Sequence, residues 1–344
     1  RADILAAHTE SRMLSIGKLG QGQADYYLQV VGQGIEDYYT GAGEAPGRWL
    51  GSAADELGAD GEVDAAALHA ALTGNHPLTG AQLARPPRGG IRVPGFDLTF
   101  SAPKSVSVLF GLGDAALSRE VRDAHEAAVE AALGYMERQA AVARRGRGGT
   151  ESVLGNGFVG AAFRHRTSRA GDPQLHTHVL VANMTRGPDG RWTALDARRL
   201  YAQAKTGGYL YQAHLRAELT RRLGVEWTTI HRGAAEVDGI PARVLRTFSR
   251  RRAEIEDQMR DRGDTSSRAA QVAALDTRQA KDYAVAPASL AARWSDQAVT
   301  NISGIVRPSP TGPWLRSIRI RFEPRFASSR SPSSARTVTP SKSW

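Results

Sequence analysis

The stretch from Phe158 to Met184 constrains the fold of this chain more than any other. FVGAAFRHRT, starting at Phe158, is apolar and β-prone; Gly171-Asp172-Pro173 is a turn signal; LHTHVLVANM, starting at Leu175, is strand-like again. The pattern predicts a β-hairpin folded about residues 170 and 171. Side chains alternate faces along a strand, so His176 and His178 project from one face. On the partner strand His165 comes opposite that pair. Three of the chain's nine histidines therefore fall within fourteen positions and converge on one point.

Converging imidazoles suit a divalent metal ion. Three neutral nitrogen ligands leave positions open for water or a substrate oxygen, as in catalytic sites rather than closed structural ones. A lone His-x-His is more often a pair of ordinary polar positions on a half-exposed strand. The third histidine at matching height favours a metal site with His165, His176 and His178 as ligands. The chain has no cysteine, which excludes disulfides, thiolate sites and cysteine nucleophiles and leaves His, Asp and Glu as ligands.

With 41% hydrophobic and 23% charged residues, the 344-residue chain reads as a soluble globular protein of one large domain or two modest ones. No run approaches eighteen apolar residues and residues 1–25 lack a secretory pattern, so no membrane segment and a cytoplasmic location are expected. The net charge of +10 suggests a polyanionic partner. Its distribution weakens that inference. From Thr300 onward eight Arg or Lys face the single acid Glu323, so most of the excess belongs to the last segment and little to the body.

Residues 1–12 precede the first methionine and are expected to form an unstructured leader. Met13-Leu-Ser-Ile-Gly17 predicts a short strand, and Gln21 to Val31 a helix carrying Tyr26 and Tyr27. A second adjacent pair, Tyr38 and Tyr39, follows, in a chain only 7% aromatic. Trp49 is a candidate buried anchor, a short helix is expected from Asp64 to Leu72, and Pro86, Pro87, Gly89 and Gly90 mark a loop. Phe96-Asp-Leu-Thr-Phe-Ser101 reads as a strand, followed by a turn at Ala102-Pro103 and a second apolar run from Ser105. Asp97 is an acid in a β-branched and aromatic strand, so it needs a partner, and a histidine of the triad is the natural one. A long amphipathic helix is predicted from Asp114 to Arg144, with His125 in its apolar row as a core or boundary residue. The basic loop Arg144 to Gly149 is equally consistent with phosphate contact and with a solvated turn. Further helices are expected from Asp196 to Leu223, from Pro241 to Gly263, from Ser267 to Tyr283 and from Pro287 to Gln297. Residues 299–344, rich in Pro, Ser and Arg, predict a disordered and non-native, truncated or frame-shifted tail.

Three motifs in order carry a family resemblance: Met-Leu-Ser followed by paired tyrosines, DLTFSAPKSVSV from Asp97, and H-x-T-S-R-x-x-D-P-Q-L-H-T-H from His165. Over residues 13–298 the chain resembles the MobF group of conjugative relaxases, the TrwC/TraI family of the HUH endonuclease superfamily. The resemblance implies an α+β fold with a palm-like antiparallel sheet flanked by helices. It implies that His165, His176 and His178 hold a divalent ion (Mg, Mn or Zn) beneath the scissile phosphate of single-stranded or hairpin DNA at an origin of transfer. It further implies Tyr26, with Tyr27 beside it, as the first nucleophile, Tyr38 or Tyr39 for the later strand transfer, and Asp97 as the acid that orients a ligand histidine or assists proton removal. Other conjugation proteins are further candidate partners. Lys104, Arg164, Arg166 and Arg169 are candidate phosphate contacts, with a plain solvated charge the equal alternative for each.

The chemistry is consistent without the name. A phenol of pKa about 10 is a weak nucleophile at neutral pH and needs a metal or base beside it. A tyrosine keeps the cleaved end as an ester ready for rejoining. These relaxases usually continue into a helicase, yet no G-x-x-x-x-G-K-[ST] loop occurs in these residues, so ATP-driven unwinding is not expected of them. Two other readings stay open: a catalytically idle remnant that still grips DNA, and a rolling-circle replication initiator with the same chemistry. A small-molecule metallohydrolase gives the tyrosine pairs no purpose.

Overall fold

Strand β1 (Leu14–Lys18) is followed by β2 (Arg48–Leu50), the short helices α1 (Ser52–Glu56) and α2 (Ala65–Thr73), strand β3 (Gly95–Ser101), and helices α3 (Lys104–Leu112) and α4 (Ala115–Ala140). Then come β4 (Val142–Arg145), β5 (Glu151–Leu154), β6 (Gly160–Thr167), β7 (Pro173–Ala182), β8 (Thr185–Arg186) and β9 (Trp192–Thr193), and finally α5 (Ala197–Leu223), α6 (Ala242–Thr247) and α7 (Arg250–Asp261). A last helical stretch covers 292–298. This computed structural model describes residues 13–20, 47–85, 92–146, 149–263, 266 and 292–298. The expected leader, the tyrosine helix, the 86–90 loop, the 267–283 helix and the 299–344 tail lie outside them.

The five strands β1-β3-β7-β6-β2 form an antiparallel sheet in that order. The alternation of each strand assigns its two faces. Leu14, Phe96, Leu98, Phe100, Ala162, Leu175, Val179 and Val181 point to one side, where α4 and α5 complete the larger core. Leu180, Ala182, Ala161 and Phe163 point to the other, under Trp49 and the apolar residues of α1 and α2. This second layer covers one end of its face. The other end, beyond Leu180 and Phe163, carries the histidines.

Helix α4 begins at Asp114, whose carboxylate accepts from the Leu117 amide, and runs antiparallel to α5, as Tyr135–Gln203 and Glu120–Arg222 contacts show. The adjacent glycines of α5, costly inside a helix, have a packing reason. A Cβ on Gly207 would lie 2.8 Å from the Met136 sulfur, and one on Gly208 3.3 Å from the Leu14 amide nitrogen. Small residues there let α5 lie against both α4 and β1.

The second apolar run, after the turn at Pro103, is helix α3; it is buried on nearly every side, so it has no polar stripe to reveal its period. Two boundaries differ from the sequence expectation. The long helix stops at Ala140, and Val142–Arg145 pairs instead with β5. The helix expected from Pro241 is two helices, because Phe248 turns into a separate apolar cluster and Asp172 caps the amide of Arg250 at 2.8 Å.

Candidate metal centre

The β6–β7 turn is built by its own residues. Ser168 accepts from the Gly171 amide at 2.9 Å, its own amide donates to the Asp172 carbonyl at 2.9 Å, and Gly171 has φ 72°, a conformation that favours glycine. Pro173 opens β7, where a missing N–H is tolerated. The resulting register places His165 directly across from His176 and Phe163 across from His178. On the other side of β7, Thr99 of β3 pairs with His178 and Ser101 with His176.

The three imidazoles meet as the hairpin pattern predicts. Ring centroids are 5.2 Å apart for His165–His176, 5.0 Å for His165–His178 and 5.2 Å for His176–His178. One nitrogen from each ring lies within 4.8 Å of the other two. Tetrahedral zinc–nitrogen bonds of about 2.0–2.1 Å hold such nitrogens about 3.4 Å apart, within reach of a small adjustment of the rings.

Hydrogen bonds settle which nitrogen of two of the rings faces inward. His178 Nδ1 lies 2.9 Å from both carboxylate oxygens of Asp97, and His176 Nδ1 lies 2.9 Å from the Gln174 carbonyl. A carboxylate and a carbonyl only accept, so Nδ1 carries the proton in both and Nε2 keeps its lone pair for an ion. This carboxylate–histidine arrangement is the usual outer support of a metal ligand. Thr99 Oγ1 donates to Asp97 at 3.1 Å and so fixes the carboxylate in turn. The donor set therefore fits a divalent cation. Thr99 went unnoticed in the sequence, although its position two residues after Asp97 puts both on one face of β3.

The other candidate residues are placed less uniformly. Tyr26, Tyr27, Tyr38 and Tyr39 lie outside the described residues. Arg169 is exposed on the β6–β7 turn. Arg164 and Arg166 flank His165, so alternation sends them to the opposite face, where Arg164 pairs with Glu126 and the Arg166 guanidinium sits 5.3 Å from the centre of the Phe110 ring. Lys104 donates to the Pro173 carbonyl at 2.8 Å inside the protein, and burial lowers its pKa to about 8 despite the opposing pull of Asp172 and Glu236. Arg164 and Arg166 thus lie on the sheet face opposite the imidazoles, and the Lys104 ammonium is directed at the Pro173 carbonyl. At the basic loop, Arg145 pairs with Asp189. Among the described residues no helix is long and apolar enough to cross a membrane.

Comparison with known proteins agrees with this arrangement. The family model described as TrwC relaxase matches residues 20–300. The multifunctional conjugation protein TraI of Escherichia coli is 36% identical over 294 residues, covering 81% of this chain and 16% of TraI; that of strain K12 is 37% identical over 270 residues, covering 75% and 15%. This chain thus spans about a sixth of the length of those curated relatives. Among solved structures, metal-bound conjugative relaxase TrwC in complex with OriT DNA superposes with a TM-score of 0.72 at 32% identity, over 83% of this chain and 97% of that one. TrwC complexed with a 27-mer DNA comprising the recognition hairpin and the cleavage site gives 0.71 at 31% identity, with the same coverage. An antiparallel sheet, a three-histidine cluster braced by a strand carboxylate, and a match over most of the chain lead to one assignment: this protein belongs to the TrwC relaxase family.

Proposed function

We propose that residues 13–298 form a relaxase domain that nicks one strand of DNA at an origin of transfer and transfers the cleaved strand, in the cytoplasm and alongside other conjugation proteins. The observation that carries this reading is the convergence of His165, His176 and His178 with Asp97 behind His178. The solved relatives described as TrwC with OriT DNA, one of them metal-bound, support the same substrate class.

His165, His176 and His178 would hold a divalent ion, which when bound would supply Lewis-acid polarisation of the phosphoryl oxygens and charge to offset an in-line displacement. The protein's own groups do the rest. Asp97 holds the His178 ring with Nδ1 protonated, and the Gln174 carbonyl does the same for His176, so both lone pairs are aimed before substrate arrives. In our assignment the Tyr26 phenol attacks phosphorus, its proton passes to a base or solvent, and the displaced deoxyribose oxygen leaves as a hydroxyl once protonated. The bond energy stays in a phosphotyrosyl ester. Tyr38 or Tyr39 then serves the second transfer, and Tyr27 is the alternate of the first pair.

The test is incubation of the full chain with a single-stranded oligonucleotide carrying its element's origin of transfer, with Mg or Mn. A covalent protein–DNA adduct on a denaturing gel is expected, lost with chelator and in His176→Ala. No adduct from the wild type, with DNA still bound, identifies an idle DNA-gripping remnant. An adduct persisting when all four tyrosines are Phe overturns the nucleophile assignment.

A further inference from the structure

Behind the imidazoles, on the helix side of the same strands, lies a polar cluster in an otherwise apolar core. His125 of α4 is fully buried, as is Tyr211 of α5, and Thr177 of β7 is 5% exposed. His125 Nδ1 is 2.7 Å from the Tyr211 hydroxyl and His125 Nε2 is 2.8 Å from Thr177 Oγ1. The Phe100 ring packs against Tyr211 with centroids 5.5 Å apart, and Tyr211 belongs to the larger apolar core. Burial above all, helped by the guanidinium charges of Arg164 and Arg48, lowers the His125 pKa to about 3. A neutral imidazole has one N–H and one lone pair, so it donates to one hydroxyl and accepts from the other. Both hydroxyls are thereby held in one directional chain.

The position of the chain gives it a use. Thr177 is the residue between His176 and His178, and any roll of β7 about its axis would swing both imidazoles together. The next residue of α4, Glu126, pairs with Arg164, which is the cross-strand partner of Thr177 and the neighbour of His165. Two consecutive residues of α4 thus grip the Arg164–Thr177 pair that backs all three histidines.

We propose that His125, with Thr177 and Tyr211 and seconded by Glu126–Arg164, acts as a positioning residue for the metal centre, fixing the roll of the two ligand strands from behind. The inference rests on the metal reading given above. Stability alone does not require the cluster, since replacing mutually bonded buried polar groups by apolar ones of similar shape is often nearly neutral. That distinction is the basis of the test.

The triple variant His125→Leu/Thr177→Val/Tyr211→Phe removes every polar member, leaving no member unsatisfied. Its metal-free unfolding midpoint is expected to stay close to that of the wild type, while its affinity for Mn alone, by titration calorimetry on the full chain, falls at least about tenfold, as for other outer-shell supports. The single variants make a matched pair: Thr177→Ser keeps the hydroxyl and affinity, Thr177→Val keeps the shape and loses affinity. Wild-type Mn affinity in the triple variant overturns the proposal. If the triple does not fold, equal affinity in the Ser and Val variants overturns it. A wild type that binds Mn no better than His176→Ala instead overturns the metal reading itself, and this inference with it.

Discussion

At the start of α3 the Lys104 ammonium is enclosed by the Pro173 carbonyl, with Asp172 and Glu236 near enough to act on its charge. Burial outweighs those two carboxylates and brings its pKa to about 8, whereas in the unfolded chain it titrates near 10.4. Between these values the unfolded chain binds more protons than the folded one, so this residue makes stability rise with pH over that window. Lys104→Met keeps the stem and removes the titration. Denaturant midpoints at pH 7.5 and 9.5 should therefore rise more, or fall less, in the wild type than in the variant; parallel changes would show that Lys104 keeps an ordinary pKa. The same residue shows a limit of reading charge from sequence. A lysine after a proline looks like a surface cation until the fold closes the Pro173 end of β7 over it. Asp97 is the opposite case: an acid inside an apolar strand needs a partner whatever the fold, and the partner is His178.

Helix α6, the Phe248 corner that leads into α7 and the 292–298 stretch dock on α3 through a small apolar cluster of Val108, Leu112, Val244, Phe248, Trp294 and Ala298. Polar contacts aim the same elements at the β6–β7 turn. Arg250 Nε meets the buried Asp172 carboxylate at 2.7 Å, and Trp294 Nε1 donates to the Gly171 carbonyl at 2.8 Å. Phe248→Ala should cost about 3–5 kcal/mol of local packing. Because this cluster is separate from the two sheet cores, the loss should appear as faster amide exchange across 242–261 with little change in β3 and β7. Uniform acceleration across the sheet would mean that the cluster is part of the main cooperative unit. At this scale the sequence was legible wherever a local rule suffices. The hairpin register follows from alternation and turn chemistry, and the α2, α4 and α5 starts follow from Asp64, Asp114 and Asp196 as side-chain caps. The break between α6 and α7 was not legible, because its cause is Asp172, 78 residues earlier. Nor was the support behind the histidines, since neither His125 nor Thr177 carries a local sign of the other.

On the scale of the whole molecule the sheet is asymmetric. One face is sealed by α4 and α5; the other is covered by α1 and α2 at one end and presents imidazoles at the other. An ion at that end would join β6 to β7 through its ligands and β7 to β3 through Asp97, fastening three strands of the central sheet. The unfolded chain holds no such preformed triad, so binding should act as added folding stability. At a metal concentration a hundred times the Kd the gain is about 2.7 kcal/mol. For a chain of this size each kcal/mol is worth roughly 2–4 °C or less in Tm. Mn should thus raise the unfolding midpoint by several degrees, and chelator should reverse the rise. His176→Ala should abolish the shift, while Tyr26→Phe, which alters no ligand, should keep it. An unchanged wild-type midpoint at saturating Mn would mean that the imidazoles do not act as one site. A shift that survives His176→Ala would place the ion elsewhere in the molecule.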